Sequence, residues 1–234
     1  YKGLPVIEVW SRIEWNDKNV LVKAWFEVNA ETDRAFYSIP FGAVERSTKR
    51  ETSWEKARFE VPALRWADLS DEHKGLAIIA PSRHGYSAVG SRIGLSLIRS
   101  PVFPNPWSDL GTFETYYYIY PHRGGYREAE VPRIAEELIH RLTAVEGGTP
   151  GNEESFIAVE PPKALISAVK LPEDSPKGIV VRLYNPYNTT VEVGLKMALP
   201  VKSVVERNIL ETEKIQHIDI SRVNLKPFEV KALM

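Results

Sequence analysis

The chain has 234 residues, 43% of them hydrophobic, with 30 basic against 31 acidic side chains and no cysteine. That size and apolar content suffice for a proper core in one large or two modest domains, and a formal charge of −1 supplies no field for nucleic acid or an anionic membrane. The lack of cysteine excludes disulfides, thiolate metal sites and thiol nucleophiles and fits a cytoplasmic location, while no apolar run reaches the roughly 18 residues of a membrane-spanning helix.

In chain order, the opening YKGLPVIEVW reads as a mid-sheet strand, and strand patterns follow at 19–28 and 35–41. Residues 50–75, RETSWEKARFEVPALRWADLSDEHKG, hold three arginines, two tryptophans and six carboxylates with little periodicity. The stretch reads either as a salt-bridged loop or as a wall of a sugar-binding cleft. Alternation resumes at 75–80 and in RIGLSLIR, where Ile93, Leu95 and Leu97 share a face. In FETYYYIY, the tyrosines 116, 117, 118 and 120 suit either a core cover or a sugar platform.

One helix interrupts the strands: Val131, Ile134, Leu138 and Leu142 recur three or four apart, with Pro132 suited to a first turn. VEGGTPGNEE (145–154) continues neither helix nor strand, so a domain boundary is expected near residue 150. Further strands are expected at 178–185, 191–199 and 228–233. The expectation is an all-β chain with one helix, a larger domain over 1–150 and a smaller β-sandwich over 151–234.

Local chemical motifs are sparse. His217 and Asp219 share one strand face, but two ligands make no metal site, and no other histidine has matching spacing. Ser87 in HGYSAVGS lacks both the GxSxG elbow and a following helix. The glycine pairs 124–125 and 147–148 lack the strand-to-helix setting of a phosphate loop. Asp68, Asp71 and Glu72 suit turn caps and ion pairs with Arg65 or Lys74 as well as glycosidase chemistry, whose carboxylates are defined by their separation across a sugar. NTT at 188–190 is a glycosylation sequon only in a secreted protein.

Three longer stretches, FGAVERSTKRETSWEKARFEVPALRWADLSDEHKGLAIIA, HGYSAVGSRIGLSLIRSPVFPNP and TYYYIYPH, occur in an order that resembles the C-terminal β-region of glycoside hydrolase family 38 α-mannosidases. The similarity extends through REAEVPRIAEEL and on to LKPFEVKAL. It implies part of a large, galactose mutarotase-like β-supersandwich followed by a small C-terminal β-sandwich. It also implies a retaining, zinc-dependent enzyme whose zinc and catalytic acids lie in an N-terminal domain outside these residues, so the expectation here is no catalytic residue, no metal ligand and no cofactor. The implied partners are that catalytic domain or subunit and, in the complete enzyme, a mannose-containing oligosaccharide.

By the same resemblance, Arg99 in LSLIRSP matches an arginine at the cleft rim, where a planar multidonor group binds vicinal hydroxyls or fixes a carboxylate. Tyr86 is expected beside it. Trp54, Arg58, Arg65, Trp66 and Asp68 are expected to act as an interdomain or structural element. Departures from the family pattern fall at Ser47, Leu64, Pro81, Ser82 and Ser87. A stand-alone carbohydrate-binding module and a non-catalytic subunit of a split glycosidase remain the alternatives.

Overall fold

The structure, a computed structural model, describes residues 5–147, 155–173 and 178–234. The chain divides into two compact units, residues 1–141 and 142–234. The boundary expected near residue 150 falls outside the described residues.

The first unit runs β1 (Ile7–Trp15), β2 (Val22–Glu27), β3 (Arg34–Ile39), β4 (Gly42–Ser47), α1 (Ser53–Ala57), β5 (Val61–Pro62), β6 (Trp66–Ser70), β7 (Lys74–Ile79), β8 (Gly85–Val89), β9 (Arg92–Ile98), β10 (Gly111–Arg123) and α2 (Val131–Ile139). Six strands form one antiparallel sheet in the order β1-β10-β7-β6-β3-β4, and four form another in the order β2-β9-β8-β5. Alternate residues of both meet in one core, with Tyr37, Leu69, Ile78 and Tyr117 from the first sheet and Val61, Tyr86, Ile93 and Leu95 from the second. Strand β1 lies at a rim rather than mid-sheet, with β10 on one side and, among the described residues, no strand on the other.

The six-stranded sheet is covered on its second face too. Val131, Ile134, Ala135 and Leu138 of α2 are buried, and the Tyr118 hydroxyl donates to the Leu138 carbonyl at 3.4 Å. This explains why WADLS shows no alternation: all five residues of β6 are buried, since Ala67 and Leu69 face the inter-sheet core while Trp66, Asp68 and Ser70 face the opposite way. The helix stops at Ile139, short of the expected turn through Leu142, which is 99% exposed. Beyond it, the Arg141 guanidinium donates to Glu8 at 2.6 Å and to the Tyr118 hydroxyl at 2.8 Å, carrying the chain toward β1 and β10. Strand β3 ends before Pro40, and Phe41 takes φ 60° in the turn to β4, which shortens the expected strand.

The second unit comprises β11 (Ile157–Glu160), β12 (Leu165–Lys170), β13 (Val180–Tyr184), β14 (Val191–Met197), β15 (Val205–Arg207), β16 (Lys214–His217), β17 (Val223–Leu225) and β18 (Val230–Leu233). Sheets β11-β14-β17 and β12-β13-β18-β15-β16 bury Val193, Leu195 and Leu225 from the first and Val181, Leu183 and Leu233 from the second. Together with the first unit this gives the all-β class the alternation implied.

Candidate functional site

The end of β9 is held by an interlocked set of hydrogen bonds. Ile93 and Leu95 anchor the strand in the core, and near its end the register with β2 steps from Lys23–Ser96 to Val22–Ile98, leaving Leu97 as the extra residue of a bulge on β9. Immediately after β9, the fully buried Ser100 adopts φ 39°, a left-handed conformation that a serine takes only when its surroundings impose it. Its hydroxyl accepts from Trp15 Nε1 at 3.2 Å and donates to the Val20 carbonyl at 3.0 Å. The Ser100 carbonyl accepts from the Asn19 N–H at 2.7 Å. Asp109 Oδ2 accepts from the backbone N–H groups of Arg99 at 3.3 Å and Ser100 at 3.0 Å. Asn19 and Asp109 also have positive φ, at 57° and 56°, the conformation their short polar side chains tolerate best.

This frame presents Arg99. The residue is exposed, its backbone N–H is taken by Asp109, and its guanidinium makes no hydrogen bond or ion pair among the described residues. The same loop carries Phe103, 84% exposed, and Trp107, 72% exposed. Lys18 places its ammonium 4.5 Å from the centre of the Trp107 ring, while Asn105 Oδ1 accepts from the Trp107 N–H at 3.0 Å. The arrangement offers donors and an aromatic face.

The other expected site residues lie elsewhere. Tyr86 is 0% exposed between the two sheets, its hydroxyl donates to the Arg65 carbonyl at 3.4 Å, and burial pushes the phenol pKa far up. That placement differs from the cleft-rim position expected beside Arg99, because alternation along β8 turns Tyr86 into the core. Trp66, 3% exposed, stacks on Tyr126 with ring centres 5.6 Å apart. Arg65 pairs with Glu136 of α2. Both make contacts within their own unit, Trp66 buried and Arg65 with its side chain 39% exposed. Arg58 lends its carbonyl to Arg50, which also binds the Glu55 carbonyl. Trp54, by contrast, stands 83% exposed on α1. Of the HID motif, Asp219 accepts from the N–H of Ser221 at 2.9 Å and from its hydroxyl at 2.8 Å, as a turn cap. No group of three or more His, Cys, Asp or Glu side chains able to hold a metal occurs among the described residues.

Asp68 is more than the turn residue its sequence suggested. It is fully buried, 2.6 Å from His122 Nε2, and accepts from the Ser70 hydroxyl. His122 Nδ1 lies 3.1 Å from the Gly124 carbonyl. Burial acts against charge on His122, but the Asp68 carboxylate outweighs it and the imidazole pKa is raised. A second cluster joins Lys23 Nζ to Glu60 at 2.9 Å, Ser87 at 2.5 Å and Ser96 at 2.9 Å. Burial lowers the Lys23 pKa, Glu60 opposes that, and Arg50 adds to it. Both clusters join residues far apart in sequence. Gly75 was the available signal for the first, since a side chain there would collide with Ser70 and His122.

Comparison with known proteins assigns the chain. Residues 1–107 match the model of the glycosyl hydrolases family 38 C-terminal domain, and residues 163–233 match that of the glycosyl hydrolases family 38 C-terminal beta sandwich domain. The chain belongs to family 38, as part of its C-terminal β-region. Among curated relatives of this family 38 region, alpha-mannosidase 2C1 of Homo sapiens is 33% identical over 99% of the chain. Alpha-mannosidase G of Dictyostelium discoideum is 33% identical over 96%, and an alpha-mannosidase of Saccharomyces cerevisiae 29% over 97%. The chain spans only 22–23% of the length of these relatives. The crystal structure of an alpha-mannosidase from Enterococcus faecalis V583 shares the fold, with a TM-score of 0.81 and 17% identity, over 98% of this chain and 27% of that one. No helix among the described residues is long and apolar enough to cross a membrane.

Proposed function

We propose that this family 38 region is the C-terminal β-portion of an α-mannosidase, completing the fold and lining the cleft rim beside an N-terminal catalytic part that holds zinc and the reactive carboxylates. The observation that carries the reading is Arg99: a guanidinium without an internal partner, set at a strand end that several hydrogen bonds hold rigid. Its backbone is fixed while its guanidinium stays available to bind a pair of sugar hydroxyls or to fix a carboxylate across the cleft. Support comes from relatives named α-mannosidases that match nearly the whole chain. Trp54, bare on α1, is the residue of its motif best placed to pack against that catalytic part. The cysteine-free composition supports a cytoplasmic setting.

The test is Arg99→Ala and Arg99→Lys in the full-length protein, assayed on an aryl α-mannoside. Both variants are expected to lower kcat/KM, the alanine by at least about tenfold, which corresponds to about 1.4 kcal/mol, while melting temperature holds. Unchanged kinetics in both would remove Arg99 from the cleft. The 234-residue chain alone is expected to show no turnover.

A further inference from the structure

We propose that the loop following Arg99 is an outer sugar subsite, with the Trp107 indole as a stacking face for a pyranose ring beyond the terminal one. This deepens the α-mannosidase reading and rests on it. Continuity along the chain and across hydrogen bonds puts the parts together: Ser100 follows Arg99 and binds Asn19, and the neighbouring Lys18 lies against Trp107. The backbone that carries Arg99 and the exposed indole are therefore linked through Asn19 and Lys18.

Two features favour a sugar over a protein surface as the occupant. First, the loop is pre-organised. Pro101, Pro104 and Pro106 restrict its backbone, the Asn105 side chain and carbonyl accept from the N–H groups of Trp107 and Ser108, and Asp109 ties its end back to Arg99 and Ser100. A rigid aromatic loses little entropy on binding. Second, Trp107 carries the Lys18 ammonium 4.5 Å from its ring centre and has Asn105 bonded to its backbone N–H, so charged and polar groups border an apolar face. That pairing suits a pyranose, which offers C–H groups on its face and hydroxyls at its edge. The core of a protein interface is instead depleted of charged side chains.

The experiment compares Trp107→Ala and Trp107→Tyr with wild type in the full-length protein, using an α-linked mannotriose and an aryl mannoside. Alanine is expected to reduce kcat/KM for mannotriose about tenfold more than for the aryl mannoside, chiefly through KM. Tyrosine is expected to recover most of that difference. Equal losses on both substrates, or no loss, overturn the subsite, and so does a fall of several degrees in melting temperature with both substrates impaired, the sign of a loop packed against protein. Mannotriose titration followed by indole NMR separates this proposal from the one beneath it. If the wild type hydrolyses neither substrate yet mannotriose shifts an indole signal that Trp107→Ala removes, the α-mannosidase reading fails and the subsite stands. If no indole signal moves, the subsite fails.

Discussion

Asp68, His122 and Ser70 show how single side chains hold β6 and β10 together across β7. The side chains of Asp68 and His122 are 0% and 2% exposed, so charge on either is tolerable only while the other compensates. Because the folded His122 pKa is raised above the ordinary value of about 6.5, its stabilising contribution is complete below that value and is lost as pH rises through the folded pKa. Urea unfolding at pH 6 and pH 8 is therefore expected to show lower stability at pH 8, and His122→Gln is expected to flatten the difference. Asp68→Asn leaves the pair uncompensated and is expected to cost about 3 kcal/mol, read as a lower urea midpoint. Gly75→Ala belongs to the same cluster. Its Cβ would lie 2.2 Å from Ser70 Cβ and 2.7 Å from His122 Cε1, so it is expected to destabilise by about 2 kcal/mol.

Among the elements, α2 and the alternating strands were legible from sequence, because each keeps one apolar face. Leu138→Ala in α2 is expected to cost about 3 kcal/mol, measured by the shift in thermal midpoint. Strand β6 was not legible, since burial on both sides erases the period, and residues 50–75 therefore looked like one irregular stretch. Within it α1 carried a readable mark: Thr52 accepts from the Glu55 N–H and the Glu55 carboxylate accepts from the Thr52 N–H, a reciprocal cap spelled TSWE. Trp54 and Trp66 are the same letter in that motif, yet one is bare and the other enclosed, because enclosure depends on a helix some 65 positions later. Arg99 stands out only through family likeness, and its cleft role is the proposal made above. The left-handed Ser100 that fixes it does not stand out, because tertiary hydrogen bonds rather than local preference impose its backbone angle. The contact of Trp107 with Lys18 leaves no mark in the sequence for the same reason, since the two lie 89 positions apart.

For the whole molecule, the division into two units, each with its own apolar core, makes separable cooperativity the expectation. Calorimetry of the chain is expected to resolve two transitions. Leu183→Ala, at a fully buried position of β13, is expected to lower only one of them, and a shift of both would show that the units melt together. The rim position of β1 has a separate outcome. Nine extended residues there keep half their backbone amides and carbonyls turned away from β10, a template on which another copy's strand can grow. The chain expressed alone is thus disposed to self-templated fibre growth, and the charges of Glu8, Arg12 and Glu14 along that strand serve as its gatekeepers.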